Sequence, residues 1–64
     1  MLGKYLKKHR LDLNLSQAEM AKRLKTSQSY YCMIENGAAK PGIQFIRRIA
    51  KELRLDPSVV RAML

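Results

Sequence analysis

The 64-residue sequence contains one cysteine and no long hydrophobic run, and these absences exclude several classes of protein. A single cysteine rules out an internal disulfide framework. Only His9 could join Cys32 as a soft metal ligand, so no metal site is predicted. An unpaired thiol suits the reducing cytoplasm. No stretch is long enough for a transmembrane helix, and the N-terminal MLGKYLKKHR lacks the apolar segment of a signal peptide.

The sequence also lacks the groups of residues on which catalysis depends. It has no glycine-rich phosphate loop and no paired-carboxylate site. His9 has no serine and aspartate arranged around it, so a packed histidine is favoured over a catalytic base. Cys32 lies beyond the first turn of its predicted helix, outside the region where a helix N-terminus activates a thiol. We therefore predict no enzymatic activity and no cofactor.

Acidic residues are scarce, and the charge balance is the strongest global feature. Five Asp and Glu oppose thirteen Lys and Arg, which gives a formal net charge of +8 and an isoelectric point near 10.2. Such a balance favours a nucleic-acid partner over a merely solvated basic surface. A basic amphipathic N-terminal helix is also typical of proteins that lie on membranes, and this is the alternative. The length allows a single domain, residues 1–64, with a small core that a dimer or a bound partner would stabilise.

Five helical patterns and no strand pattern predict an all-α fold. The first helix is predicted over 2–13, the third over 28–36 and the fourth over 43–53. The second begins at the capping box formed by Ser16 and Glu19, and the fifth begins after the capping residue Asp56 with Pro57 in its first position. The inward faces of the first and fourth helices are predicted to consist of Leu2, Tyr5, Leu6, His9 and Leu13, and of Ile43, Ile46, Ile49, Ala50 and Leu53.

Residues 16–36, SQAEMAKRLKTSQSYYCMIEN, resemble the helix-turn-helix of the phage repressor and Cro-type regulators, within the wider group of xenobiotic-response-element-like regulators. The resemblance extends from Leu6 to about Val60, and its pieces are Arg10, LSQAEMA, IENG, Pro41 and IAKELRL in that order. It implies a compact five-helix repressor-like domain that binds DNA through its second and third helices.

The same resemblance implies an ion pair between Arg10 and Glu35 that ties the first helix to the third. The sequence departs from the family at Lys25, a turn position usually held by glycine because the backbone there is often left-handed. We therefore expect strain or a slightly altered turn at Lys25. At Gly42 the family tends to place a Ser or Thr cap, for which glycine is a weaker substitute.

The third predicted helix divides into two faces if Tyr31 and Ile34 point inward. The outward face is predicted to read bases. The Gln28 amide can bond adenine at two positions, and apolar side chains can contact thymine methyl groups. The base-reading set is Gln28, Ser29, Cys32 and Met33, and the resemblance implies that Gln28, Ser29 and Met33 are the principal positions. The residues predicted to contact phosphates are Ser16, Gln17, Tyr30, Asn36 and Lys40.

Together these features predict a sequence-specific double-stranded DNA-binding repressor or regulator. It would bind a palindromic operator as a homodimer, with the third helix in the major groove. The dimer interface is predicted at Val59, Met63 and Leu64, because these apolar residues exceed the needs of a small core. A restriction–modification controller, a plasmid regulator or an antitoxin with a protein partner would use the same domain. The alternative from another class is a protein-binding helical module that has lost DNA binding.

Overall fold

The computed structural model describes all residues 1–64 and contains five helices and no strands. The helices are α1 Leu2–Asp12, α2 Gln17–Arg23, α3 Gln28–Glu35, α4 Ile43–Leu53 and α5 Pro57–Ala62. The all-α prediction is confirmed, and the predicted helix boundaries are correct to within one residue. None of these helices is both long enough and apolar enough to cross a membrane.

Side-chain caps account for where three of the helices begin. The Ser16 hydroxyl accepts from the Glu19 N–H, while the Glu19 carboxylate accepts from the Ser16 N–H, so the predicted capping box is present. Ser27 caps α3 by accepting from the N–H of Tyr30. Asp56 caps α5, and Pro57 occupies its first turn. At α4 the capping residue is Gly42, which has no side chain to satisfy the free N–H groups.

The core lies where α2 crosses α3 and where α4 and α5 close over them. Its largest fully buried side chains come from every helix, and Tyr31 is buried as predicted. Ala21 is small and 1 % exposed, which allows α2 and α3 to approach closely. Phe45 at 6 % exposure joins this core, although the predicted inward face of the fourth helix omitted it. The fully buried side chains are Tyr31, Leu6, Met20, Leu24, Ile49 and Val60.

Three predicted core positions are wrong. Tyr5, Leu13 and Ile43 are 46 %, 43 % and 62 % exposed, whereas all three were assigned to inward faces. Helical periodicity limits which residues share a face but leaves the width of the buried face to the neighbouring helices. α1 packs mainly against α3, so its buried face narrows to one row of residues four apart. That row consists of Leu2, Leu6 and Arg10.

Gly3 marks a close approach that the sequence analysis missed. A Cβ atom at Gly3 would overlap the carbonyl oxygen of Glu35 and lie 3.0 Å from that of Ile34. The first turn of α1 therefore lies directly against the last turn of α3. The neighbouring Leu2 N–H donates to the carbonyl of Met63 at 3.1 Å, which ties the same segment to the end of α5.

Candidate nucleic-acid interface

Helix α3 has one face fixed in the core and one face open to solvent. Tyr31, Ile34 and Glu35 are buried. On the opposite side, Gln28, Ser29 and Met33 are exposed, and Cys32 is half-buried. The four residues predicted to read bases are therefore brought together on one surface of one helix. Their side chains are short or unbranched and carry no charge.

A buried polar network orients α3. The Arg10 guanidinium donates to both oxygens of Glu35, with Nε–Oε2 at 3.0 Å and Nη2–Oε1 at 3.1 Å. Glu35 Oε2 also accepts from the Tyr31 hydroxyl at 2.6 Å, and Oε1 accepts from Nε2 of Gln17 at 3.2 Å. Arg10 Nη1 donates to the carbonyl of Leu15 at 3.0 Å. Since these residues come from α1, α2 and α3, the network fixes three helices relative to one another.

The protonation states of this network follow from burial and hydrogen bonding. Burial alone raises the pKa of Glu35, but the hydrogen bonds from Arg10, Tyr31 and Gln17 outweigh it and hold that pKa below its usual value. Burial raises the pKa of Tyr31, so its hydroxyl keeps its proton and donates. The hydrogen bond to Glu35 raises the pKa of Arg10. The network is therefore a fixed cation, a fixed anion and a neutral phenol at physiological pH.

Two of the predicted phosphate-contacting residues begin α2. Ser16 is exposed, and its hydroxyl and N–H are both engaged in the capping box with Glu19. Gln17 is half-buried and directs its amide nitrogen to Glu35. That contact connects the start of α2 to the network that orients α3, a role the sequence analysis did not assign to Gln17.

The other three predicted phosphate-contacting residues surround α3. Tyr30 is half-buried, and its ring meets Phe45 edge-to-face with centroids 5.1 Å apart. Asn36 is the exposed C-cap of α3, and its Nδ2 lies 3.6 Å from Sγ of Cys32. Lys40 is exposed in the loop between α3 and α4. The Tyr30–Phe45 contact couples α3 to α4, which is the second way in which α3 is held.

A second polar cluster lies away from α3 and was not predicted. Glu52 accepts from His9 Nε2 at 3.1 Å and from Arg23 Nη2 at 2.8 Å. Burial raises the pKa of Glu52, but the hydrogen bonds from Arg23 and His9 outweigh burial and lower it. His9, Arg23 and Glu52 come from α1, α2 and α4, and no local sequence pattern connects residues so far apart in the chain.

Most of the positive charge remains uncompensated. Only three of the thirteen Lys and Arg side chains have a carboxylate within 4.0 Å, and these three are Lys8, Arg10 and Arg23. The remaining exposed cations give the protein a positively charged surface, which attracts a polyanion.

Comparison with known proteins identifies the fold. A protein-family model described as helix-turn-helix matches residues 6–60. This chain belongs to that helix-turn-helix family. An uncharacterized HTH-type transcriptional regulator of Bacillus subtilis strain 168, YqaF, is 41 % identical over 56 residues, which cover 88 % of this chain and 74 % of YqaF. The ImmF control region 10 kDa protein of Bacillus phage phi105 is 40 % identical over 60 residues, which cover 94 % of this chain and 67 % of the phage protein.

No solved structure matches this chain. The family resemblance drawn from residues 16–36 is confirmed by the family match and by both relatives. α2 and α3 are the two helices of the motif, and the four residues between them, 24–27, form its turn. The family consists of transcriptional regulators that bind DNA.

Proposed function

We propose that this helix-turn-helix protein is a transcriptional repressor or regulator that binds a palindromic operator as a homodimer. Helix α3 would enter the major groove, and each subunit would recognise one half-site. The observation that carries the proposal is the exposed neutral face of α3, opposite a face held by the buried Arg10–Glu35 network. A rigidly held helix with free polar side chains can select base edges, because its side chains are already positioned before binding.

The side chains on this face have distinct chemical capacities. The Gln28 amide nitrogen can donate to N7 of adenine while the amide oxygen accepts from its N6 amino group. This two-point contact makes Gln28 the main source of specificity. Ser29 can donate or accept, so it discriminates less. Met33 and Cys32 offer apolar surface to thymine methyl groups.

Backbone contacts would surround the reading face and set its register. Ser16 and Gln17 lie at the start of α2, where the backbone N–H groups that the capping box leaves free favour a phosphate. Tyr30, Asn36 and Lys40 lie on the other sides of α3, and the Lys40 ammonium supplies a charge. These contacts position the protein without carrying sequence information.

The dimer interface is proposed at the end of α5. Val59 and Leu64 are 45 % and 51 % exposed, and Met63 is half-buried. Met63 and Leu64 also line an apolar groove of about 140 Å³ together with Met1 and Pro41, which extends the apolar surface beyond α5. A twofold axis through this surface would present two α3 helices to half-sites about 34–36 Å apart, one turn of DNA.

The regulatory role is supported by the names of both relatives. One is named as a transcriptional regulator and the other as a protein of a phage control region. We extend regulation of transcription to this chain because the matched region includes the whole of α2 and α3 and most of the other helices.

Selection of bound sites from random duplex DNA tests the proposal. We expect one enriched motif with twofold symmetry and an adenine at the position read by Gln28. Gln28→Ala should relax the preference at that position in each half-site and reduce operator affinity by roughly 1–3 kcal/mol per contact. Gln44→Ala is the matched control, because Gln44 is an exposed glutamine on α4 outside the reading face and should leave the motif unchanged.

Two results would contradict the proposal. If Gln28→Ala weakened random and selected DNA equally, Gln28 would not read a base. The homodimer would be wrong if the selected motif contained only one half-site and light scattering with size exclusion showed a monomer both in free solution and on that DNA. If the affinity for duplex DNA did not fall steeply as the salt concentration rose, the proposal of DNA binding would be contradicted, because each neutralised phosphate releases counterions.

A further inference from the structure

A second concave surface lies between the end of α2 and the second half of α4. It has a volume of about 460 Å³, within the range of small-ligand sites. Only Leu24 among its lining residues is apolar, and Leu24 is itself buried in the core. The charged lining residues are Arg23, Lys25, Arg48, Lys51, Glu52 and Arg54. An apolar ligand would leave the positive charges of this lining without counter-charges, whereas a multiply charged anion would neutralise them.

The one carboxylate in this basic pocket is already neutralised. Both Glu52 oxygens accept from Arg23, at 3.2 and 2.8 Å, and Oε2 also meets His9. No carboxylate lies within 4.0 Å of the remaining four cations, Lys25, Arg48, Lys51 and Arg54. The negative ends of the α2 and α4 dipoles offset roughly one unit of this charge, about half a unit each. The pocket therefore keeps a net positive charge of about three.

Two of these cations occupy strained backbone positions. Lys25 and Arg54 both have a φ of 57°, in the left-handed region where glycine is relaxed and longer side chains are not. The other left-handed non-glycine residue is Asn14, a type that adopts this conformation more readily. Both strained cations line the same pocket, one at the end of each helix. The left-handed conformation accompanies the end of each helix, and at both ends the residue is a cation rather than glycine.

The pocket walls are held in place, and none of them belongs to the predicted reading face. Arg48 Nη1 donates to the carbonyl of Lys25 at 3.2 Å, which joins α4 to the turn of the helix-turn-helix. No residue of α3 lines the pocket. Arg48 to Arg54 lie in the second half of α4, whereas Lys40 precedes its start, and an eleven-residue helix separates its ends by about 15 Å.

We infer that this basic pocket binds a small, multiply charged phosphate compound, an inorganic polyphosphate or a nucleoside triphosphate, at a site separate from the DNA-reading surface. Guanidinium groups suit phosphate because their planar donors match two oxygens at once, and the ammonium groups add charge. No aromatic side chain lines the pocket to stack on a base, so recognition rests on the phosphate groups.

Calorimetric titration of the full chain with tripolyphosphate and with ATP at low salt tests the inference. We expect saturable binding of both, with similar affinities if the phosphates alone are recognised. Lys25→Gly/Arg54→Gly should weaken tripolyphosphate binding by about tenfold or more, because two close charges are removed. The same variant should unfold at an equal or higher urea concentration, because glycine relieves the strain at both positions. If these side chains served only to stabilise the fold, the same variant should instead unfold at a lower urea concentration.

Two further variants complete the design. Lys51→Gln/Arg54→Gln removes two charges from the pocket while keeping a side chain at position 54, and should weaken binding to a similar extent. Lys4→Gln/Lys7→Gln removes two exposed charges from α1 and should change the affinity less than twofold. Amide chemical-shift changes on adding tripolyphosphate should centre on residues 23–25 and 48–54.

The inference is overturned if wild type and Lys25→Gly/Arg54→Gly bind tripolyphosphate equally, or if the α1 control loses as much affinity. A glutamate-rich peptide that bound the same residues more tightly than tripolyphosphate would replace the phosphate compound with an acidic protein. If Lys25→Gly/Arg54→Gly weakened duplex DNA as much as tripolyphosphate, the pocket would belong to the DNA interface instead.

Discussion

Replacing Arg10 with methionine should destabilise this protein more than replacing Arg10 and Glu35 together. The two side chains are only 10 % and 3 % exposed, and the guanidinium makes two hydrogen bonds to the carboxylate. Arg10→Met leaves the carboxylate buried with only Tyr31 and Gln17 as donors. A buried charge without its counter-charge is unfavourable, because the interior solvates it far less well than water does.

The magnitude is large for a chain of this size. Breaking a buried ion pair from one side costs about 3–5 kcal/mol. At roughly 0.05–0.15 kcal/mol per residue, the whole domain is stable by about 3–10 kcal/mol. Arg10→Met should therefore lose at least about a third of the free energy of unfolding. In the double variant Arg10→Met/Glu35→Met the Gln17 amide also loses its acceptor, but Gln17 is only half-buried and can bond water instead. The Tyr31 hydroxyl and the Leu15 carbonyl are the two groups left unpaired. Two such groups together cost about 3 kcal/mol.

Urea unfolding followed by far-ultraviolet circular dichroism measures these differences in all four proteins of the double-mutant cycle. We expect the double variant to be at least as stable as Arg10→Met and a coupling energy above about 2 kcal/mol. The deficit of Arg10→Met should shrink as the pH falls, because burial without Arg10 raises the pKa of Glu35 and a protonated carboxyl needs no counter-charge. Additive losses, or a deficit that is the same at pH 4 and pH 7, would refute the reasoning.

Three further predictions follow from other contacts. Gly3→Ala should destabilise by about 1–3 kcal/mol, since its Cβ would overlap the carbonyl of Glu35; an unchanged urea midpoint would show that α1 can shift freely. Ser27→Ala should cost about 1 kcal/mol by removing the cap that accepts from Tyr30, and a Ser27→Asp variant should restore it; failure of that rescue would exclude capping. The free energy of unfolding should be constant above the unfolded carboxyl pKa of about 4.3 and should fall at lower pH, because the pKa values of Glu35 and Glu52 are lowered in the folded state. Thermal midpoints measured from pH 7 to 2 test this, and a midpoint that rose as the pH fell would contradict it.

The helices themselves were predictable because their boundaries are encoded locally. Ser16, Ser27 and Asp56 each cap the helix that follows them, and a cap acts within three or four residues. The alternation of buried Tyr31 and Ile34 with outward residues on α3 also follows from helical spacing alone. The sequence therefore carried the fold class, the helix order and the candidate reading face.

The strain at Lys25 was expected from the family resemblance, because the family usually has glycine at this turn position, and the φ of 57° at Lys25 confirms it. The second such position, Arg54, was not predicted. Its helix ends without glycine, and only the folded chain shows that the backbone reverses there.

Tertiary structure alone decided which apolar residues stay in water and which charges meet. Tyr5 and Ile43 satisfy the helical repeat yet remain exposed, because no neighbouring helix covers them. Position 3 requires glycine only because α1 lies against the carbonyl groups that end α3. His9, Arg23 and Glu52 meet from three helices, and the pocket beside them joins two helix ends. Such contacts depend on how whole helices pack, and packing depends on all the buried side chains at once rather than on any neighbouring few.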